Sequence, residues 1–95
     1  MSEPVPSHNE DKSRYELHLD GELIGIIDYK REGDVVDLPH TEIEEGHEGK
    51  GYAGILADFA LGEIRDEGLL VKPTCPYIAK HIERNPEYGS FVAAQ

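Results

Sequence analysis

Two side chains in this sequence are suited to nucleophilic and proton-transfer chemistry: Cys75, the only cysteine, and His40. Cys75 stands directly before Pro76, and proline suits the first position of a helix because its missing N–H costs little there. Cys75 is therefore expected at a helix N-cap, where unpaired N–H groups and the helix dipole favour a thiolate. The alternative is a small buried side chain at a strand end, a common place for a free cysteine. His40 is a candidate general base for that thiol; otherwise it is a core or strand-edge histidine making one hydrogen bond. A third feature is the stretch EEGHEGKGYAGIL, Glu44 to Leu56, which sets four glycines and Lys50 before an apolar run. Glycines between a strand and a helix let the backbone approach an anion closely, with the first-turn N–H groups pointing at it. The alternative is a solvent-exposed loop whose glycines serve only the turn.

These residues need elements to bring them together. In RYELHLDGELIGIIDYK, Tyr15, Leu17 and Leu19 alternate with Arg14, Glu16 and His18, the period of a half-buried strand. Asp20-Gly21 is a hairpin turn, and the return strand runs from Glu22 to about Lys30. After a turn at Arg31-Glu32-Gly33, a third strand spans Asp34 to Ile43, and Pro39 within it calls for a bulge or lost pairing. Ala53, Leu56, Ala57, Ala60, Leu61 and Ile64 then mark one face of a helix, which Gly68 ends. Leu69-Leu70-Val71 is long enough for a buried strand, reached by a right-handed crossover that makes it the parallel neighbour of the third strand. A second helix runs from Pro76 to Arg84 and stops at Asn85-Pro86.

The order is β-β-β-α-β-α: an α/β domain over 13–94, an antiparallel β-meander followed by a β-α-β unit and a short C-terminal helix. Residues 1–12, rich in proline, serine and acid, are expected to be a disordered tail. His40 and Cys75 fall towards the C-terminal ends of neighbouring parallel strands, where ligands of open α/β sheets collect. His8 and His18 are expected to face solvent. His47, with His40 and Glu44, matches no ligand spacing, so no metal is expected.

Spacing narrows the reading of the glycine loop. A nucleotide P-loop needs G-x-x-x-x-G-K-[ST], and Gly46 and Gly51 are followed by Tyr52-Ala53. Gly49, Gly51 and Gly54 satisfy G-x-G-x-x-G, but VKPTC offers no carboxylate where the ribose partner belongs. A third pattern fits both motif and element order. Glu48-Gly49-Lys50-Gly51-Tyr52-Ala53 resembles the [Q/R]-x-x-G-x-[G/A] loop of the GNAT superfamily of N-acetyltransferases. HTEI, EGKGYAGIL, CPY and RNPEY, taken in order over residues 14 to 92, resemble its short single-domain (YjdJ-type) branch. Glu48 departs from the pattern, setting a carboxylate where Gln or Arg is usual, and Lys50 offsets it as a point charge.

The resemblance implies an abbreviated GNAT acetyltransferase fold that transfers an acetyl group from acetyl-coenzyme A to an amine, small molecule or protein. The coenzyme would be held by Gly49, Lys50, Gly51, Tyr52 and Ala53, by the backbone around Glu42 and Ile43, and by Arg84 and Asn85 in the RNPEY segment. Arg84 also reads as a helix-terminal cation complementing the dipole. Two routes stay open. In one, His40 activates Cys75 to form an acyl-enzyme; in the other, His40 takes the amine's proton and Cys75 or Tyr77 protonates the leaving thiolate. A non-catalytic coenzyme-A-binding or protein-interaction module, and thioester hydrolysis through Cys75, are the alternatives in function.

Charge sets further bounds. Twenty acidic against nine basic residues give a net charge of −11. That excludes non-specific nucleic-acid binding, which relies on clustered Lys and Arg, and a polybasic membrane patch. The field favours a cationic acceptor, although the same charge would serve solubility alone. No apolar run reaches the ~20 residues that span a bilayer, so a cytoplasmic monomer or weak dimer is expected.

Overall fold

The computed structural model describes residues 3–93. Five strands form one sheet in the order β1-β2-β3-β4-β5. They are β1 (Val5–Asn9), β2 (Arg14–Leu19), β3 (Glu22–Glu32), β4 (Val35–Ile43) and β5 (Leu70–Lys72). The first four are antiparallel neighbours, and β5 joins β4 in parallel through the crossover helix α1 (Tyr52–Asp66). After β5 come α2 (Pro76–Arg84) and a 3-10 helix, η1 (Pro86–Phe91).

Helix α1 lies across one face of the sheet and touches all five strands. Its apolar stripe of Leu56, Ala57, Ala60, Leu61 and Ile64 is fully buried against Tyr15, Leu17, Ile27, Val36, Leu38 and Val71. Burying a Leu or Ile side chain contributes roughly 1.5–3 kcal/mol, so this stripe fixes the crossover. Gly68 takes φ 72° after the Glu67 C-cap. The Leu69 N–H then reaches the Ile64 carbonyl and the Gly68 N–H that of Arg65, both at 3.0 Å. This closing motif needs a left-handed residue, which is why glycine ends the helix there.

Residues 5–9 correct the expectation of a disordered tail over 1–12: Val5–Asn9 is the edge strand β1, paired with β2 from Val5↔His18 to Asn9↔Arg14. The segment lacks apolar alternation because backbone pairing and ring contacts hold it, and Pro6 is tolerated at a sheet edge. Met1 and Ser2, like 94–95, lie outside the described residues. His8, expected to face solvent, packs its ring 4.7 Å from that of Tyr15 and shares a 2.7 Å hydrogen bond with the Tyr29 hydroxyl. Glu16 also departs from the alternation. It is 8% exposed, taking hydrogen bonds from Arg14 Nε (2.7 Å) and Asn9 Nδ2 (3.1 Å). η1 was not anticipated; its Tyr88 and Phe91 close the end of the core.

Candidate functional site

Pro39 shapes the site. Between Asp28↔His40 and Lys30↔Asp37 the register slips, so Leu38 and Pro39 together oppose the single residue Tyr29. This is a bulge with its extra residue in β4. Before it, Val36 and Leu38 point into the core; after it, the parity of the strand has changed. Thr41↔Ile27↔Tyr15 and Ile43↔Gly25↔Leu17 form cross-strand rows on the α1 face, while His40↔Asp28↔Arg14 and Glu42↔Ile26↔Glu16 form rows on the other.

Beyond the bulge β4 also loses its outer partner. β5 pairs with it only from Val35↔Leu70 to Asp37↔Lys72, and the last link is the Cys75 N–H to the Leu38 carbonyl at 2.8 Å. The Glu44 N–H donates to the Ile24 carbonyl at 2.7 Å, which fixes the hydrogen-bonding alternation. By that alternation His40 and Glu42 turn their backbone groups to β3, while Thr41 and Ile43 turn theirs to the open edge. Of the two backbones expected to line the cleft, that of Ile43 faces it and that of Glu42 faces β3.

The glycine loop closes the far end of this opening. Gly49 and Gly51 have φ 77° and 79°, and Gly51 is the N-cap of α1 with no side chain capping the helix. The left-handed residues and the uncapped first turn form a backbone cradle suited to an anion. A cavity of about 280 Å³ lies against it, lined by Ile43, His47, Gly51, Tyr52, Ala53 and Tyr77 among others. His47 Nδ1 is buried there without a hydrogen-bond partner. Lys50 is exposed, and Glu48 sits on the cavity wall.

Cys75 is the N-cap of α2, with Pro76 beginning the helix as expected, and it is 7% exposed. Its thiol donates to the Thr41 hydroxyl at 3.6 Å. His40 lies on the opposite face of β4, its side chain 55% exposed and 4.0 Å from the Glu42 carboxylate. A hydrogen bond from Cys75 to His40, which the route with His40 as base for that thiol would use, is not among those made by the described residues. The bulge separates them, because it sends Thr41 rather than His40 to the side where the thiol lies.

A group that sequence reasoning missed joins α1 to α2 and η1. Asp58 Oδ1 accepts from His81 Nε2 at 2.7 Å and from the Tyr88 hydroxyl at 2.8 Å. His81 stacks between Tyr77 and Tyr88, with both centroid distances 6.0 Å. The Tyr77 hydroxyl and the His81 ring both lie against Gly54, in the first turn of α1. Burial first, then the Asp58 carboxylate, raises the Tyr77 phenol above its ordinary pKa, so it keeps its proton. Burial and the hydrogen bond to Asp58 push Tyr88 up to about 12. The i, i+4 spacing of Tyr77 and His81 was the visible signal, but the acceptor comes from another helix. Asn85 closes α2: its side chain donates to the His81 carbonyl at 2.9 Å. Arg84 is exposed.

Comparison with known proteins agrees with this architecture. The chain is 33% identical to the mouse (Mus musculus) protein NATD1 over 84 residues, covering 83% of this chain and 74% of that protein. It is 32% identical to NATD1 of Xenopus tropicalis over 81 residues, with the same coverage. Among solved structures, a GCN5-like putative N-acetyltransferase from Staphylococcus aureus superposes with TM-score 0.74 over 100% of this chain and 93% of its own, at 14% identity. The ribosomal-protein-S18-alanine N-acetyltransferase of Escherichia coli gives 0.63 at 12% identity over 75% of this chain and 49% of that one. At such identities the likeness is one of fold. The model of the GCN5-related N-acetyltransferase family matches residues 14–91, and the chain belongs to that family.

Proposed function

We propose that this protein transfers an acetyl group from acetyl-coenzyme A to an amine. The observation that carries the reading is the edge of β4 at Thr41 and Ile43, which pairs with no strand among the described residues and lies between the start of α1 and the N-cap of α2. An extended amide-bearing arm can pair with that edge as an added strand does. Gly49, Gly51, Tyr52 and Ala53 would receive its pyrophosphate on backbone N–H groups, which serves where the net charge disfavours anions. Lys50 would add a point charge, and Arg84 could meet a further phosphate.

In the reaction a carbon–nitrogen bond forms and a carbon–sulfur bond breaks. His40, on the face away from α1, takes the proton released by the amine. Tyr77, held protonated on the other side, returns one to the departing sulfur. The acidic surroundings of His40, with Glu42 beside it and Asp28 across the strand, suit an acceptor that arrives as an ammonium ion. A second reading, an acyl-enzyme on Cys75, is favoured by the place of that thiol at the helix N-cap beside the opening.

The test is to mix the protein with acetyl-coenzyme A and a panel of primary amines, following free thiol and acetylated amine together. Thiol release that depends on the amine supports the transferase. Acetyl-coenzyme A binding without turnover favours a binding module, and amine-independent thiol release favours thioester hydrolysis. An acetyl adduct on Cys75, found by mass spectrometry before amine is added, would select the covalent route.

A further inference from the structure

We propose that a second cavity, at the C-terminal end of α1, binds a small organic ammonium ion. It has a volume of about 330 Å³ and is bounded by β1, β2, β3 and the residues that follow α1. That volume lies within the range of small-molecule sites. Gly51 and Glu67 cap opposite ends of a 15-residue helix, which sets the cavity roughly 22 Å from the glycine loop. It is therefore separate from the site assigned above and does not rest on that reading.

The rings of His8, Tyr15 and Tyr29 form a continuous aromatic wall, with centroid distances of 4.7, 5.3 and 5.2 Å around the three pairs. Tyr15 lines the cavity and is only 2% exposed, yet its hydroxyl makes no hydrogen bond among the described residues. The Tyr29 hydroxyl, by contrast, is engaged by His8 at 2.7 Å. The ring is buried while the hydroxyl oxygen opens on the cavity, where a polar group finds its partner in water or a ligand. The carboxylates of Glu10 and Glu67 also line the cavity, and that of Glu63 adds to the field at the Tyr15 phenol. Against them stands one cation, Arg31, whose Nε already donates to the Gly33 carbonyl at 3.0 Å.

Three classes of small ligand can be weighed against these groups. A carboxylate would gain Arg31 but face Glu10 and Glu67. A neutral alcohol would satisfy the Tyr15 hydroxyl and leave the charges unanswered. An alkylammonium ion donates to the phenol oxygen and the carboxylates, gains from the aromatic faces, and lays its alkyl body on Val36 and Leu69. Its binding would tie β1 to the end of α1.

The test is an amide NMR titration of the full chain with n-butylammonium chloride, against n-butanol, sodium butyrate and sodium chloride at matched ionic strength. Butylammonium is expected to shift His8, Ser13, Tyr29 and Leu69 while leaving Gly49 and Gly51 in place. Tyr15→Phe keeps the ring and removes the hydroxyl, and should weaken binding about tenfold, as for loss of a hydrogen bond to a charged group. Glu67→Gln, at an exposed position, should also weaken it and serves as the readout if Tyr15→Phe does not fold. Equal binding of butanol, preference for butyrate, binding indifferent to the substitutions, or no shift with butylammonium would each overturn the proposal.

Discussion

The Cys75 thiol donates to the Thr41 hydroxyl at 3.6 Å, across the point where β4 and β5 separate. This contact links the N-cap of α2 to the open strand edge. Thr41→Val removes the acceptor while keeping the β-branched shape. It should cost about 1 kcal/mol or less in urea unfolding, given the weakness of thiol donors. It should raise KM for acetyl-coenzyme A more than it lowers kcat.

His40→Gln tests the proposed base. Proton transfer by a positioned side chain contributes about a hundredfold to ten-thousandfold. A loss in that range is expected in kcat/KM, partly recovered at higher pH where more of the amine is already deprotonated. Stability should barely change, because the side chain is more than half exposed. An unaltered pH–rate profile would remove His40 from the mechanism.

Tyr77→Phe should lower kcat about a hundredfold or more with little change in coenzyme affinity. The phenol's role as acid is supported by its retained proton and its place against Gly54. Acetyl donors with a more acidic thiol leaving group should be less affected, a dependence that a purely structural role for the ring would not produce.

Asp58→Asn tests the Asp58–His81–Tyr88 group. Burial and the hydrogen bond to a carboxylate push the Tyr88 phenol up to about 12. The substitution should move it back towards its usual value of about 10, though burial keeps part of the rise. A raised folded-state pKa stabilises fully below the unfolded value and is lost as pH rises through the folded one. Wild-type stability should therefore fall between about pH 10 and 12 through Tyr88, with a smaller fall in the variant. Ultraviolet difference titration and urea midpoints would measure both.

Glu16 gives the acid counterpart. Burial alone would raise its pKa, but hydrogen bonds from Arg14 and Asn9 outweigh that and hold it below the usual carboxylate value. A lowered folded-state pKa stabilises above the unfolded value and is lost as pH falls through the folded one. Wild type should exceed Glu16→Gln in melting temperature at neutral pH, with the gap closing as pH falls below about 4.

The parts of the fold that were legible in the sequence have local causes. The alternation of Tyr15 and Leu17, the stripe from Leu56 to Ile64, Gly68 as a helix stop and Pro76 as a helix start each act within a few residues. β1 was not legible because its stability lies in backbone pairing and in the rings of His8, Tyr15 and Tyr29, which meet only after folding. The glycine loop was legible as a motif, since positive φ at Gly49 and Gly51 leaves a trace in composition. The Asp58–His81–Tyr88 group joins three elements, so beyond the i, i+4 pair of Tyr77 and His81 no spacing points to it. Pro39 announced a bulge, yet which residue would then face Cys75 depended on where the extra residue sits.

That extra residue has a kinetic consequence. By reversing the parity of β4, it turns His40 and Glu42 to one side of the sheet and Thr41 to the other, with Cys75 and Tyr77. In the proposed transfer, donor and acceptor would approach from opposite sides and be held at once, as a ternary complex requires. Double-reciprocal plots should intersect, not run parallel, and desulfo-coenzyme A should inhibit competitively against the donor while leaving the amine free to bind.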